Sequence, residues 1–210
     1  MSEKPIIFSS EMIKALLNGT KTMTRRVVKP QPEEHSPVVE IIKDWKHSLK
    51  GEWFLRTAFY GQPCSGTHLG GYMVKPPYAP NDVLWCRETW APTYITHENG
   101  KAIIREAIYR ADTGDFGERW HSPLHMPRVA ARLFLRVTDV RIEKLREISP
   151  KDKVAEGFTD CCRAYPCNEK DTCKRLCFMR YWDSRNAKRG YGWDTNPLVW
   201  VISFERTERP

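Results

Sequence analysis

Between Ser9 and Val28 the pattern of the chain changes from helical to extended at a single glycine, and this change constrains the fold most. Met12, Ile13, Leu16 and Leu17 recur at helical spacing and make one apolar face. Ser9 and Ser10 are placed to cap the start of that helix. Gly19 follows the last apolar residue, where a left-handed residue commonly ends a helix. Beyond it the threonines, Val27 and Val28 favour a strand. Lys21, Thr22, Thr24, Arg25 and Arg26 therefore sit at a helix-to-strand joint, where backbone geometry can aim side chains into a pocket. A lysine that loses solvent there has a lowered pKa and can act as a base. A neighbouring threonine hydroxyl can then become a nucleophile. The plainer reading is a solvated Thr/Lys/Arg strand that repels edge pairing.

The rest of the chain reads mostly as strands. Pro80-Asn81-Asp82 is a turn, and the strand 83–87 leaves it. Residues 102–109 and 198–204 read as two more strands. In 131–142, Leu133, Leu135 and Val137 alternate with Arg132, Phe134 and Arg136, which suits a sheet with one face buried and the other partly wet. Ser149-Pro150-Lys151-Asp152 starts a short helix, with serine as cap and proline in the first turn. Gly157 ends it and leaves Glu156 at its last turn, and a second late helix covers 171–181. The proline-bearing segment 30–80 is predicted to be long loops with some short strands, laid over the core. With 210 residues, 40% of them hydrophobic, this is one domain (1–210) able to bury a core. The fold class expected is α+β, mainly β, a small barrel or pseudobarrel with short helices rather than a doubly wound sheet.

Charge narrows the partners. Thirty-four basic residues against 26 acidic ones give a formal +8, which favours polyanionic partners through long-range steering. Several of the eight tryptophans stand beside arginine or glycine: Trp85 near Arg87, Trp120 beside Arg119, Trp193 after Gly192. Planar rings with nearby cations suit stacking on a nucleobase; packing in a core or at its rim is the alternative. Trp85, Arg87 and Trp193 are taken as candidate ligand contacts. No apolar run approaches membrane-spanning length. The opening Met1-Ser2-Glu3-Lys4-Pro5 lacks the basic and apolar regions of a signal peptide, so a cytoplasmic location is expected.

Five of the seven cysteines fall between 161 and 177. In a cytosolic chain such crowding suggests a metal more than a disulfide framework. Cys173 and Cys177 are four apart on the predicted helix, so both thiols can face one ligand. Cys162 and Cys167 can supply the other two positions of a tetrahedral zinc site, with Cys161 as the alternative to Cys162. Such a zinc would be structural, in an insertion spanning about 159–181. Buried free thiols, or a disulfide formed on oxidation, would account for the same cysteines without a metal.

The motif residues resemble the ASCH (ASC-1 homology) family, whose fold is similar to the PUA nucleic-acid-binding barrel. The resemblance rests on Gly19-x-Lys21-Thr22-x-Thr24-x-Arg26 behind a helix, and on Pro80-Asn81-Asp82-Val83-Leu84, where Asn81 stands in place of the usual glycine. It continues through the strand and short helix 135–158, ending Ala155-Glu156-Gly157-Phe158, and the strand 199–204. The segments Tyr109-Arg110-Ala111-Asp112 and His125-Met126-Pro127-Arg128, with the stretch between Trp182-Asp183 and Trp193-Asp194, look like the longer ASCH proteins of bacteriophages and prophages. A bacterial branch of the family is an amidohydrolase that removes the acetyl group of N4-acetylcytidine. The resemblance places its catalytic lysine, threonine and glutamate on Lys21, Thr24 and Glu156, with no cofactor for catalysis. Arg26 would bind a carbonyl or phosphate oxygen of the substrate. Other ASCH proteins are described as RNA-binding or ribonuclease-like, which makes a modified-base reader the alternative. The partner expected is thus a modified nucleoside or a nucleic acid, RNA before DNA, with no membrane and no inferable protein partner. One geometric condition follows. Residues three apart in a regular strand point to opposite faces, so Lys21 and Thr24 converge only if the chain bends between them.

Overall fold

A computed structural model describes residues 2–32, 38–43, 53–58, 69–96, 102–115, 119–158 and 170–210. In chain order the strands and helices begin with β1 (Glu3–Ile7), α1 (Ser10–Leu17) and β2 (Met23–Val27). Next come β3 (Val38–Lys43), β4 (Trp53–Ala58), β5 (Leu69–Val74), β6 (Val83–Arg87), β7 (Trp90–Thr96), β8 (Ala102–Tyr109) and α2 (Arg110–Thr113). The chain then runs through β9 (Phe134–Lys144), α3 (Pro150–Ala155), α4 (Lys170–Asn186) and β10 (Leu198–Thr207). No helix among the described residues is long and apolar enough to cross a membrane.

Five strands form the main sheet in the order β1-β6-β9-β10-β2, with β1 parallel to β6 and the other pairs antiparallel. Its core is built mainly from alternate residues of β6, β9 and β10, including Leu84 and Cys86, Leu135 and Val137, and Trp200, Ile202 and Phe204. The α+β, mainly β class holds; of the barrel or pseudobarrel expected, the described residues do not form a closed barrel. Among the described residues β1 and β2 are the two edges of an open sheet. The physical reason is α1, which joins them and buries Met12, Ile13 and Leu16 in the same core. A helix occupies the place where a closing ladder would run. One hydrogen bond links the two edges directly, from Arg26 Nη2 to the Ile7 carbonyl at 2.8 Å.

The segment 30–80 also differs from expectation. It carries an antiparallel sheet, β3-β4-β5, and adds Trp53, Leu55 and Val74 to the core rather than only covering it. Trp53 packs edge-on against Trp200, with ring centroids 5.1 Å apart. The turn before β6 has Asn81 at φ +70°, so the position does need a left-handed residue, and asparagine is among the few others that adopt it readily. Asp82 fixes that turn by accepting from Lys4 Nζ, Ser2 Oγ and the Ala79 N–H.

The bend between Lys21 and Thr24 has a clear origin. The regular strand starts only at Met23. Before it, the Lys21 N–H is held by Ala15 at the end of α1, and the Thr22 N–H by Ala155 at the end of α3. Lys21 itself forms an isolated antiparallel bridge with Glu156. Opposite this joint the β9–β10 register shifts between Ser203 and Phe204, with Thr138 of β9 as the extra residue, and the Phe204 N–H donates to the Thr22 carbonyl. Two helix ends therefore set residues 20–22, with one bond from Phe204 continuing the β2–β10 register to Thr22.

Candidate functional site

Ser149 caps α3 by accepting from the Asp152 N–H, and Glu156 closes the helix at its C-terminus. Gly157 follows at φ +99°, where a Cβ would come within 2.9 Å of Ala15 Cβ. That close approach brings the end of α3 against Lys21. We predict that Gly157→Ala loses about 1–2 kcal/mol from the backbone alone, and more from the collision with α1. The urea midpoint of the variant measures it; an unchanged midpoint would mean that α3 does not need to sit so close.

Lys21 and Glu156 are both buried. Lys21 Nζ donates to Glu156 Oε2 at 2.9 Å, to the Glu156 carbonyl at 2.9 Å and to the Met23 carbonyl at 2.7 Å. An ammonium has three donors, and all three are used. Burial holds the Lys21 pKa below its ordinary value of 10.5, while the Glu156 carboxylate pulls it back up and the Arg26 and Arg25 charges push it down again. Burial is the largest of these effects. Thr24, also buried, pairs with Ile202 across the ladder and lines the same cleft as Lys21 and Glu156.

Behind this pair lies Arg25, which the sequence marks only as one of the basic residues of the joint, with no role of its own. Its side chain is 1% exposed. Nη2 donates to Glu143 Oε2 at 3.0 Å and to Asp152 Oδ2 at 2.8 Å, and Nη1 reaches Glu156 Oε1 at 3.3 Å. One guanidinium thus gathers carboxylates from β9, from the first turn of α3 and from its end. Glu156 is held between Lys21 on one oxygen and Arg25 on the other. Such a fork suits arginine rather than lysine.

The cleft in front of these residues has a volume of about 690 Å³. β2 and the N-terminus of α1 form one wall, and the C-terminal half of α4 with Tyr191 forms another. Its cations are Lys21, Arg25, Arg26, Lys29, Arg110, Arg185 and Arg189, against one acidic residue, Glu156. Aromatic faces alternate with these charges. Arg26 lies over Phe8, Arg185 over Tyr181 and Lys29 over Tyr191, at 5.7, 5.2 and 5.6 Å from the ring centroids. Two buried polar atoms on lining residues, Ser9 Oγ and Arg25 Nε, have no hydrogen-bond partner among the described residues. Ser9 does occupy the N-cap position of α1, but its hydroxyl makes no cap bond; only its carbonyl accepts, from the Ile13 N–H.

The structure brings Lys21, Thr24, Glu156 and Arg26 to one cleft, and it places the other candidates elsewhere. Trp85 is packed in a separate apolar cluster with Trp90, Met126 and Phe134. Arg87 stacks 4.6 Å over Trp85 and donates to the Leu124 carbonyl. Trp193 is buried with Phe178 and Trp182 in a third cluster, its edge on a small recess of about 170 Å³. The aromatic residues at the cleft are instead Phe8, Phe178, Tyr181, Trp182 and Tyr191. Cys162 and Cys167 lie outside the described residues. Cys173 and Cys177 both sit on α4, four residues apart as expected.

No family model matches this chain, and no curated protein matches it. Among solved structures it is similar to the crystal structure of an ASCH domain from Lactobacillus crispatus JV V101. The two are 12% identical, the match covers 99% of this chain and 81% of that one, and the TM-score is 0.38. This is the family that the motif residues resemble. The likeness is distant, and nothing about the activity of this chain follows from it.

Proposed function

We propose that the cleft hydrolyses the amide of an N-acylated pyrimidine nucleoside, with N4-acetylcytidine as the compound to test. The observation that supports this reading is the burial of Lys21 against Glu156, at 2.9 Å, in a cleft that Thr24 also lines. At rest Lys21 is an ammonium, so the first step is transfer of a proton along its bond to Glu156 Oε2. That leaves a neutral amine beside a carboxylic acid, a pairing that low dielectric favours over separated charges. The amine takes the Thr24 hydroxyl proton as Oγ1 bonds to the acyl carbon. Collapse of the adduct breaks the C–N bond, and the departing nitrogen receives the proton held by Glu156. Cytidine leaves, and an acetyl ester stays on Thr24. A second Lys21-to-Glu156 transfer then lets Lys21 deprotonate water, whose oxygen displaces Thr24 Oγ1. Thr24 recovers its proton from Glu156, and acetic acid leaves and gives up its remaining proton to solvent.

Release of cytidine from N4-acetylcytidine by the full-length protein, followed by mass spectrometry, tests the reading. Absence of turnover by the folded protein would sink it for this compound. One observation favours a second reading, an RNA-binding reader of a modified base. The three acceptors around Lys21 Nζ leave no lone pair, and a reader needs none. Such a reader would lose affinity steeply with salt, whereas hydrolysis of a neutral nucleoside would change little.

A structural zinc on Cys162, Cys167, Cys173 and Cys177 is proposed separately. Elemental analysis of protein purified without chelator is expected to find about one zinc per chain, lost in Cys173→Ser. A zinc content near zero in the unmodified protein would end that idea.

A further inference from the structure

Among the described residues six arginines are neutralised by carboxylates: Arg25, Arg110, Arg128, Arg132, Arg141 and Arg146. Four cations at the cleft are not. Among the described residues no acidic side chain pairs with Arg26, Lys29, Arg185 or Arg189. All four line the same cavity. They are nonetheless held in place by groups that leave the charge intact. Arg26 donates to the Ile7 carbonyl and lies over Phe8, and Lys29 lies over Tyr191. Arg185 lies over Tyr181, while Arg189 Nη2 donates to the Arg185 carbonyl and to Asn186 Oδ1. Carbonyls and ring faces orient a cation and lower its freedom without cancelling it. Fixed positive charge left without a counter-charge in a concavity is the arrangement that phosphate oxygens satisfy.

We propose that the α4 side of the cleft, built by Arg185 and Arg189 and faced by Lys29 from beyond β2, is a phosphate subsite. The ligand would then be a phosphate-bearing nucleotide, free or within a strand, rather than a bare nucleoside. This rests on the nucleoside reading of the Lys21 end, and it adds the class of substrate. The subsite belongs to α4 and the residues just after it, which are separate in sequence from the Lys-Thr-Arg motif.

The test is calorimetric binding to the full-length protein, with turnover recorded in parallel. The probes are N4-acetylcytidine, its 5′-monophosphate, and short single-stranded oligoribonucleotides with and without one N4-acetylcytidine. The phosphorylated probes are expected to bind at least about tenfold more tightly than the nucleoside, as charge-assisted bonds to a phosphate would give. That ratio is expected to fall to about one in an Arg185→Gln, Arg189→Gln double variant, and to fall in part in Lys29→Gln on the facing wall. Gain with the monophosphate points to a free nucleotide; gain only with the oligonucleotides points to a strand. Equal affinity for nucleoside and phosphorylated probes overturns the subsite, as does failure to bind any of them. A phosphate preference without turnover keeps the subsite and removes the hydrolase. Turnover of the nucleoside without any phosphate preference does the reverse.

Discussion

Replacing Arg25 by methionine is expected to cost about 3–5 kcal/mol of stability at neutral pH, the usual result of removing one partner from a buried ion pair. Methionine fills a similar space, so packing contributes little of that loss. The loss comes from Glu143, Asp152 and Glu156, which converge on one guanidinium at 2.8 to 3.3 Å. Arg141 still touches Glu143 and Asp152, and Lys21 still holds Glu156, but none of these contacts spans all three carboxylates. Carboxylates left to repel one another destabilise the fold, and urea unfolding of both proteins measures the deficit. A deficit below about 1 kcal/mol would place the network among ordinary surface pairs. Arg25→Lys should recover only part of the loss, because an ammonium is a point charge and cannot fork across three partners.

Arg25 also shows what a sequence withholds. Its partners lie 118, 127 and 131 residues further along the chain, and no local pattern connects them. What is local was legible. The extents of β6 and β8, the Ser149 cap and the glycine after Glu156 all follow from short-range rules, and the structure has them. The aromatic and basic wall of the cleft was nearly legible. Phe178, Tyr181, Trp182, Arg185, Asn186 and Arg189 recur at helical spacing, and all line the cavity. Ending the late helix at residue 181 cut that face in half, because α4 runs on to Asn186 with a 3-10 turn to Arg189. Charged residues on the last two turns hid it from an apolar-periodicity reading. Trp85 and Trp193 drew attention as rings beside arginine or glycine, yet sequence adjacency does not say which face of a strand or loop is open. In the structure both are buried in packed clusters, and neither lines the cleft.

Lys21→Met carries the other large effect, and it separates a base from a binding residue. If Lys21 takes the Thr24 proton, the variant should lose about 10²- to 10⁴-fold in kcat/KM on N4-acetylcytidine, the range that a positioned acid or base supplies. Thr24→Val, which keeps the shape but removes the nucleophile, should fall at least as far. The pH profile adds a readout that a merely structural lysine would not give. Burial, the largest influence on this lysine, lowers its pKa from 10.5, so the population of neutral amine grows at a lower pH than for a solvated lysine. Because the proposed cycle starts from the pair with its proton on, the rate should fall as pH rises through an apparent value below 10.5, where the pair loses that proton, and that fall should be missing in Lys21→Met. Folding stability runs in the same direction. The unfolded chain binds the proton more tightly than the folded one, so stability should increase with pH between the folded and unfolded values. Glu156→Gln sharpens the distinction, because glutamine keeps a hydrogen-bond acceptor for Lys21 but cannot receive its proton. A hydrolase in which Glu156 carries the proton loses turnover in this variant. One that needs Glu156 only to hold Lys21 in place keeps most of it, and its rate profile moves to lower pH because the carboxylate no longer supports the ammonium.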